Sequence, residues 1–382
     1  VPAKIARPDR FARSTTLQAN RQDGQNIMKG AQIFNRHRSA SFKALRVMIA
    51  CAVTYAITQI AGFQQGFWAV FTVLLVMQGS VGATVRAATD RLIATVAGAV
   101  MGGIAVLIAP AGALYTGISL VVVAGITSVA ASLNPRLRVA GLTAAVVMLT
   151  RAPDIPVFTF VYLRILEIAM GGVIGVTASR LVLPVQASTV MVNKLVDVLN
   201  SITDLLDHQA DALEKGEGYI ATETNIALRT ALTSAEEMLP DVIQEQTARL
   251  GRPGVSDAIV RTLWRIRNDI THVSRLTDKP FSEPVLQALG TSVTALIHAE
   301  GRLAQICGEA LKTKDVIERD DARGCLADFE MAFKHFRVSK EASNLDFEEI
   351  GRIFGLAFAL RRLNQDFFDL SDRINERSAL QR

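Results

Sequence analysis

Apolar residues run in six long segments through the first half of the chain, at roughly 42–62, 66–82, 88–109, 114–133, 138–150 and 157–183. A helix needs about 20 apolar residues to cross the hydrocarbon core of a bilayer, so the first, third, fourth and sixth segments predict spanning helices. The second and fifth are shorter, bounded by Gly79-Ser80-Val81-Gly82 and by Arg151-Ala152-Pro153. From Pro184 onward the pattern changes. Val190, Leu195, Val198, Leu199, Ile202, Leu205 and Leu206 recur at a helical spacing with polar residues between them, the mark of an amphipathic helix with one buried face. Breaks at 215–218, 251–254 and 278–284, with weaker ones near Thr313 and Ser343, predict about six such helices. The last, roughly 346–376, carries Ile350, Phe354, Phe358, Leu363, Phe367 and Leu370 as its expected core stripe. The predicted fold is all-α: six transmembrane helices followed by a helical domain.

Charge follows the same partition. Residues 1–46 hold ten Lys/Arg against two Asp/Glu, whereas 47–183 hold ten charges in total. Residues 184–382 hold the other 55 and are net acidic. The domains are therefore read as a basic cytoplasmic tail (1–41), a transmembrane domain (42–184) and a helical cytoplasmic domain (185–382). The excess positive charge lies beside the apolar half while the soluble half is acidic. That fits membrane orientation and contact with lipid rather than nucleic acid. Basic residues fall in the tail, at Arg86 and Arg91, at Arg136 and Arg138, and at Arg180 and Lys194. The positive-inside rule then places both termini in the cytoplasm. No cleavable signal peptide is read, because the first apolar stretch follows a long basic tail.

The three cysteines are too few and too scattered for a disulfide framework or a cysteine-based zinc site. No phosphate-binding loop, nucleophile elbow or His-Glu-x-x-His motif is present. No enzyme activity, cofactor or metal is expected.

An offset of 73 residues relates the two halves of the apolar region. Arg91-Leu92 precedes Gly98 and Gly102 with the same spacing by which Arg164-Ile165 precedes Gly171 and Gly175. The offset also carries the first span onto the fourth and the second onto the fifth. Three spans per copy force the copies into opposite orientations, a 3+3 inverted repeat of the kind common in secondary transporters. The four glycines are read as helix-packing residues, because a glycine lets a neighbouring backbone approach closely.

Ionisable residues at membrane depth are costly and usually face a bundle interior or a wet cavity. Arg164 lies seven residues into the sixth span, about 10 Å of rise, with Glu167 one turn deeper. Arg86, Asp90 and Arg91 cluster at the start of the third span, where Arg86 and Asp90 are spaced to pair. The functional reading makes Arg164, Arg91 and Arg86 the binding groups for an organic anion. Glu167 and Asp90 are then the candidate proton-coupling carboxylates. The alternatives are cytoplasmic rim residues for Arg86 and Arg91, and a structural ion pair for Arg164 with Glu167. Phe63, Phe67 and Trp68 are expected as an interfacial aromatic belt.

The run Phe67 to Gln78, then Val81-Gly82-Ala83-Thr84, then Arg91 to Gly102 resembles the fusaric acid resistance family, or aromatic acid exporters. Arg164 to Gly171 is similar to its last membrane helix. The layout also resembles plant aluminium-activated malate transporters. Phe67, Trp68, Gln78, Gly82, Arg91, Gly98, Gly102, Arg164 and Gly171 match the family pattern, while Gly79 stands where many members have proline. The resemblance implies export of aromatic or other organic carboxylates across the bacterial inner membrane, often beside a periplasmic adaptor protein. Many relatives carry two six-span modules, so a single module implies a homodimer. A passive anion channel and a scaffold without transport are the competing functions.

Overall fold

The computed structural model describes residues 41–63, 65–110, 112–151, 155–248, 255–340 and 345–380. The predicted basic tail, apart from Ser41, and the predicted breaks at 251–254 and near Ser343 lie outside these. The described residues are helices joined by short turns, with no strand among them. They form two compact units. One comprises residues up to Gly79 together with Ala87–Pro184, and the other comprises Ser80–Arg86 together with Val185–Arg382.

In the first unit, four helices are long and apolar enough to span: α1 (Ser41–Ile60), α3 (Val81–Ile108), α4 (Ala113–Leu133) and α6 (Val157–Leu181). Between them, α2 (Phe67–Val76) and α5 (Ala140–Thr150) are short. At ~1.5 Å per residue each covers about half of a ~30 Å core. The third span begins earlier than its apolar run. Ser80 starts the helix by accepting the backbone N–H of Ala83, so Arg86, which precedes the apolar run, lies within α3 together with Asp90 and Arg91. The predicted Arg86–Asp90 pair does not form: Arg86 pairs with Asp241 at 3.0 Å, and Asp90 with Arg136 at 3.6 Å.

Close approach through glycine fixes the helix pairs. A Cβ added at Gly98 would lie 2.1 Å from the carbonyl oxygen of Ala140, and one at Gly102 would lie 2.7 Å from that of Ala144. On α6, a Cβ at Gly171 would lie 2.4 Å from the Ala69 carbonyl oxygen, and one at Gly175 would touch Val76 at 3.0 Å. Thus α3 lies backbone to backbone on α5, and α6 on α2.

The second unit is built from α7 (Ala187–Glu214), α8 (Thr222–Glu236), α9 (Leu239–Thr247), α10 (Asp257–Leu276), α11 (Thr291–Thr313), α12 (Asp320–Arg337) and α13 (Phe347–Leu380). The sequence reading expected about six helices. The extra break falls at Glu237-Met238, where Pro240 occupies the first turn of α9, a position proline favours because its missing N–H has no partner there. Leu195, Leu199, Ile202 and Leu206 of α7 are fully buried. Gly301 and Gly308 of α11 let that helix lie close against Leu206 and Leu199. The carboxylate of Glu245 on α9 caps α7, accepting the N–H groups of Ala187 at 2.7 Å and Ser188 at 3.3 Å. Negative charge is favoured at that helix end.

The stripe on α13 is a correction. Leu363, Phe367 and Leu370 are buried, but Phe354 and Phe358 are 48% and 67% exposed. Nine residues separate Phe354 from Leu363, and at ~100° each that is half a turn of azimuth. The buried face continues backward through Leu360, Leu356 and Ile353 instead.

Candidate functional site

Where α1 ends and α6 begins, the first unit encloses a cavity of about 460 Å³. It is lined by Ala61, Gly62, Phe63 and Gln65 on one side and by residues of α6 and its lead-in, including Thr159, Phe160, Arg164 and Glu167, on the other. The chain reaches it through a tight turn. Gly62 takes a left-handed conformation, φ +68°, which glycine adopts without a Cβ penalty. The Phe63 N–H then donates to Thr58 O at 3.1 Å, and the Trp68 N–H donates to Gln65 O at 3.1 Å. Gly66 packs onto Thr58, where a Cβ would stand 2.5 Å from the threonine Cβ. This turn delivers the Gln65 side chain to Arg164.

Arg164 and Glu167 are 2% and 3% exposed. The Arg164 Nη1 donates to Glu167 Oε2 at 3.2 Å, and Nη2 donates to Gln65 Oε1 at 2.5 Å. The guanidinium carbon lies 4.6 Å from the centre of the Trp68 ring and 5.2 Å from that of Phe160. A cation over an aromatic face gains electrostatically, and more so out of water. The guanidinium is held by a carboxylate, an amide and two rings, yet its Nε is buried with no hydrogen-bond partner. Chemically, the site offers a fixed positive charge beside a carboxylate at the wall of a cavity that opens to the outside of the unit.

Trp68 is half-buried against Arg164, whereas its neighbours Phe67 and Phe71 are exposed, the Phe67 ring tilted at 36° to it and the Phe71 ring meeting it edgewise. The belt expected from sequence is therefore divided: Phe67 faces outward, and Trp68 serves the site. The other candidate residues sit elsewhere. Arg91 is 6% exposed, with a buried Nε that has no partner, but it is not among the residues lining this cavity. Arg86 belongs to the helical unit with its partner Asp241. Asp90 is half-buried and paired with the exposed Arg136.

Residues 50–178, which contain every residue of this cavity, match the family described as fusaric acid resistance protein-like. This segment is a fusaric acid resistance-like module. No curated protein matches the chain. The match, with four apolar helices of spanning length, makes this a multi-pass membrane protein with a function in transport or resistance.

Within the first unit, sequence reasoning missed two residues. Gln65 fell in a gap between spans, and nothing local marks it as the partner of a residue 99 positions away. Arg46 enters the sequence reading only through the charge count over 1–46, but it lies within α1, is buried, and leaves Nε and Nη1 unpartnered. Its position four residues before the buried Ala50 was the available signal.

Proposed function

We propose that this protein is a secondary transporter that exports organic, chiefly aromatic, carboxylates across a bacterial inner membrane. The observation that carries the reading is the buried Arg164 guanidinium at the cavity wall, flanked by Glu167, Gln65 and two aromatic rings. A guanidinium stays charged at any physiological pH and pairs with a carboxylate through two parallel hydrogen bonds. Glu167 shares that guanidinium and would compete with an incoming carboxylate unless protonated. Substrate binding and protonation of Glu167 are then linked, as proton coupling requires.

Six membrane segments in a 3+3 inverted repeat fit this function. The offset of 73 pairs the short α2 with the short α5, and broken segments at matching repeat positions are typical of transporter binding sites. The glycine contacts support the same relation. The third helix of each repeat, α3 or α6, lies on the short helix of the other. Where those third helices meet, a Cβ at Gly172 would stand 3.6 Å from Ala88 and one at Gly103 would stand 3.2 Å from Val161. Ala88 and Val161 are counterparts under the offset. Arg91 is then the counterpart of Arg164 toward the cytoplasmic side. The working assembly in this reading is a homodimer, served outside by a periplasmic adaptor.

The test is uptake of a labelled panel of aromatic and aliphatic carboxylates into vesicles containing the purified protein, with and without a proton gradient. Gradient-driven accumulation of carboxylates is expected. Flux that only dissipates a substrate gradient would make the protein a channel, and no flux would reject transport. The orientation is tested separately, in a background lacking Cys51, Cys307 and Cys325. A cysteine at Ile155 should react with an impermeant reagent added to intact cells, and one at Gln186 only after permeabilisation. Reaction of Gln186→Cys from outside would reverse the topology.

A further inference from the structure

The hydrogen-bonding wall of the Arg164 cavity has a direction. Glu167 takes the Nη1 side of the guanidinium, and Gln65 takes the Nη2 side. A guanidinium carries donors only, so the end of the Gln65 amide that meets it at 2.5 Å is the oxygen. The hydrogen-bond network thereby decides which way round the amide lies, since a flipped amide would set N–H against N–H. Its nitrogen is turned away from Arg164 and has no acceptor among the described residues. Gln65 is half-buried and lines the cavity, so those two N–H groups are left to whatever fills it.

Thr159 adds to the same wall. It lies about 7.5 Å before Arg164 along α6, is exposed, and lines the cavity. A helical threonine can bond back to the carbonyl four residues earlier, as Thr72, Thr95 and Thr127 do in this unit. For Thr159 that carbonyl is Ile155 O, which accepts Arg151 Nη1 at 2.6 Å instead. A hydroxyl both donates and accepts, so Thr159 tolerates either kind of partner. The Gln65 amide, held by its oxygen, offers the cavity donors. Much of the remaining lining is apolar, including Phe63, Phe160 and Leu163.

We propose that Gln65 is the specificity-determining residue of the Arg164 site and selects carboxylates that carry a second acceptor oxygen beside the carboxyl group, as α-keto acids do. This rests on the reading of Arg164 as the carboxylate-binding group. A carboxylate pairs with the planar guanidinium through its own two oxygens. The amide is bound to that same guanidinium, and its Nε2 shares a carbon with the oxygen that makes the contact. The amide donors therefore stand next to the bound carboxylate, where the substituent on the adjoining carbon falls. An acceptor oxygen there pairs with an N–H group. A substrate without one leaves that N–H unpaired in a half-buried site, which costs affinity. One neutral hydrogen bond of this kind is worth about a factor of ten in binding.

Titration calorimetry of the purified full chain in detergent, with phenylpyruvate and with phenylpropanoate, provides the test. The two acids share a skeleton and a charge, and differ in the keto oxygen beside the carboxylate. The wild type should bind phenylpyruvate about tenfold more tightly. Gln65→Glu keeps an oxygen for Arg164 and replaces the donor by an acceptor, whereas Gln65→Met keeps the length and removes both. In each variant the preference should disappear or reverse. Because the two acids are compared on one protein, the ratio does not depend on the folded fraction. If one variant fails to fold, the other decides by the same criterion. Equal binding of the two acids by the wild type, or a preference that survives in Gln65→Met, overturns the assignment and leaves Arg164 as a carboxylate site. A preference lost in Thr159→Val but kept in Gln65→Glu overturns it in favour of the hydroxyl. Binding of neither acid overturns it together with the carboxylate reading of Arg164.

Discussion

Replacing Arg164 by alanine is expected to cut carboxylate transport at least about 100-fold. Two charge-assisted hydrogen bonds to a carboxylate contribute about 3 kcal/mol together, and ~1.4 kcal/mol is a factor of ten. Arg164→Lys keeps the charge but loses the planar fork and the ring stacking at Trp68 and Phe160, so transport should fall about tenfold. Alanine also leaves Glu167 buried without its cation, which by itself costs about 3–5 kcal/mol of stability. Flux must therefore be normalised to the folded fraction, read from the elution profile and thermal unfolding of each variant. Glu167→Gln separates the two roles. It keeps the hydrogen bond and removes the titration, so transport should persist with a flattened pH profile. A double replacement, Arg164→Met with Glu167→Leu, distinguishes a structural pair from a binding one. Apolar replacement of a structural pair restores the fold and the function. Restored transport in that double variant would remove Arg164 from the binding site.

How far this site could be read from sequence depends on contact range. Arg164 and Glu167 are one turn apart in an apolar helix, so their spacing and their cost in a membrane identify them without any structure. Gln65 and Trp68 join them only because the Gly62 turn folds the α1–α2 connection onto α6. No local pattern encodes that meeting. The same limit explains Arg86. Its i+4 neighbour Asp90 is the obvious partner in sequence, but Asp241 lies 155 residues further on. There a Cβ at Gly82 would stand 2.1 Å from the Asp241 carbonyl oxygen, so the first turn of α3 seats on α9 and brings the two charges together. Boundaries were legible where chemistry changes abruptly. The long apolar runs end within a few residues of the observed ends of α1, α4 and α6. They were not legible where a polar segment stays helical, as at the start of α3, or where two apolar phases compete, as on α13.

Gly98→Leu and Gly171→Leu are expected to have the largest effects on folding in the membrane unit, and of similar size. In both, the substituent meets a backbone carbonyl oxygen, at 2.1 Å for Gly98 and 2.4 Å for Gly171, distances no Cβ can tolerate. A flexible side chain could swing aside, but a helix backbone cannot, so whole helices must separate. Overpacking typically costs about 1–3 kcal/mol and occasionally more, and separation of a helix pair belongs at the upper end. Tm measured in a mild detergent should fall by several degrees at least, with a matching rise in aggregate. Gly117 and Gly125 of α4 are internal controls, because a Cβ at either meets nothing within 4 Å. Alanine there removes the conformational freedom of glycine and adds no clash, so stability should be unchanged or slightly higher. Gly98→Ala should fall between these cases, since a methyl group still has to displace Ala140. If the two repeats are equivalent, the Gly98 and Gly171 series should run in parallel from alanine to leucine. A Gly98→Leu protein as stable as the Gly125→Ala control would mean that α3 and α5 are not in backbone contact, and the paired-glycine basis for the inverted repeat would fail with it.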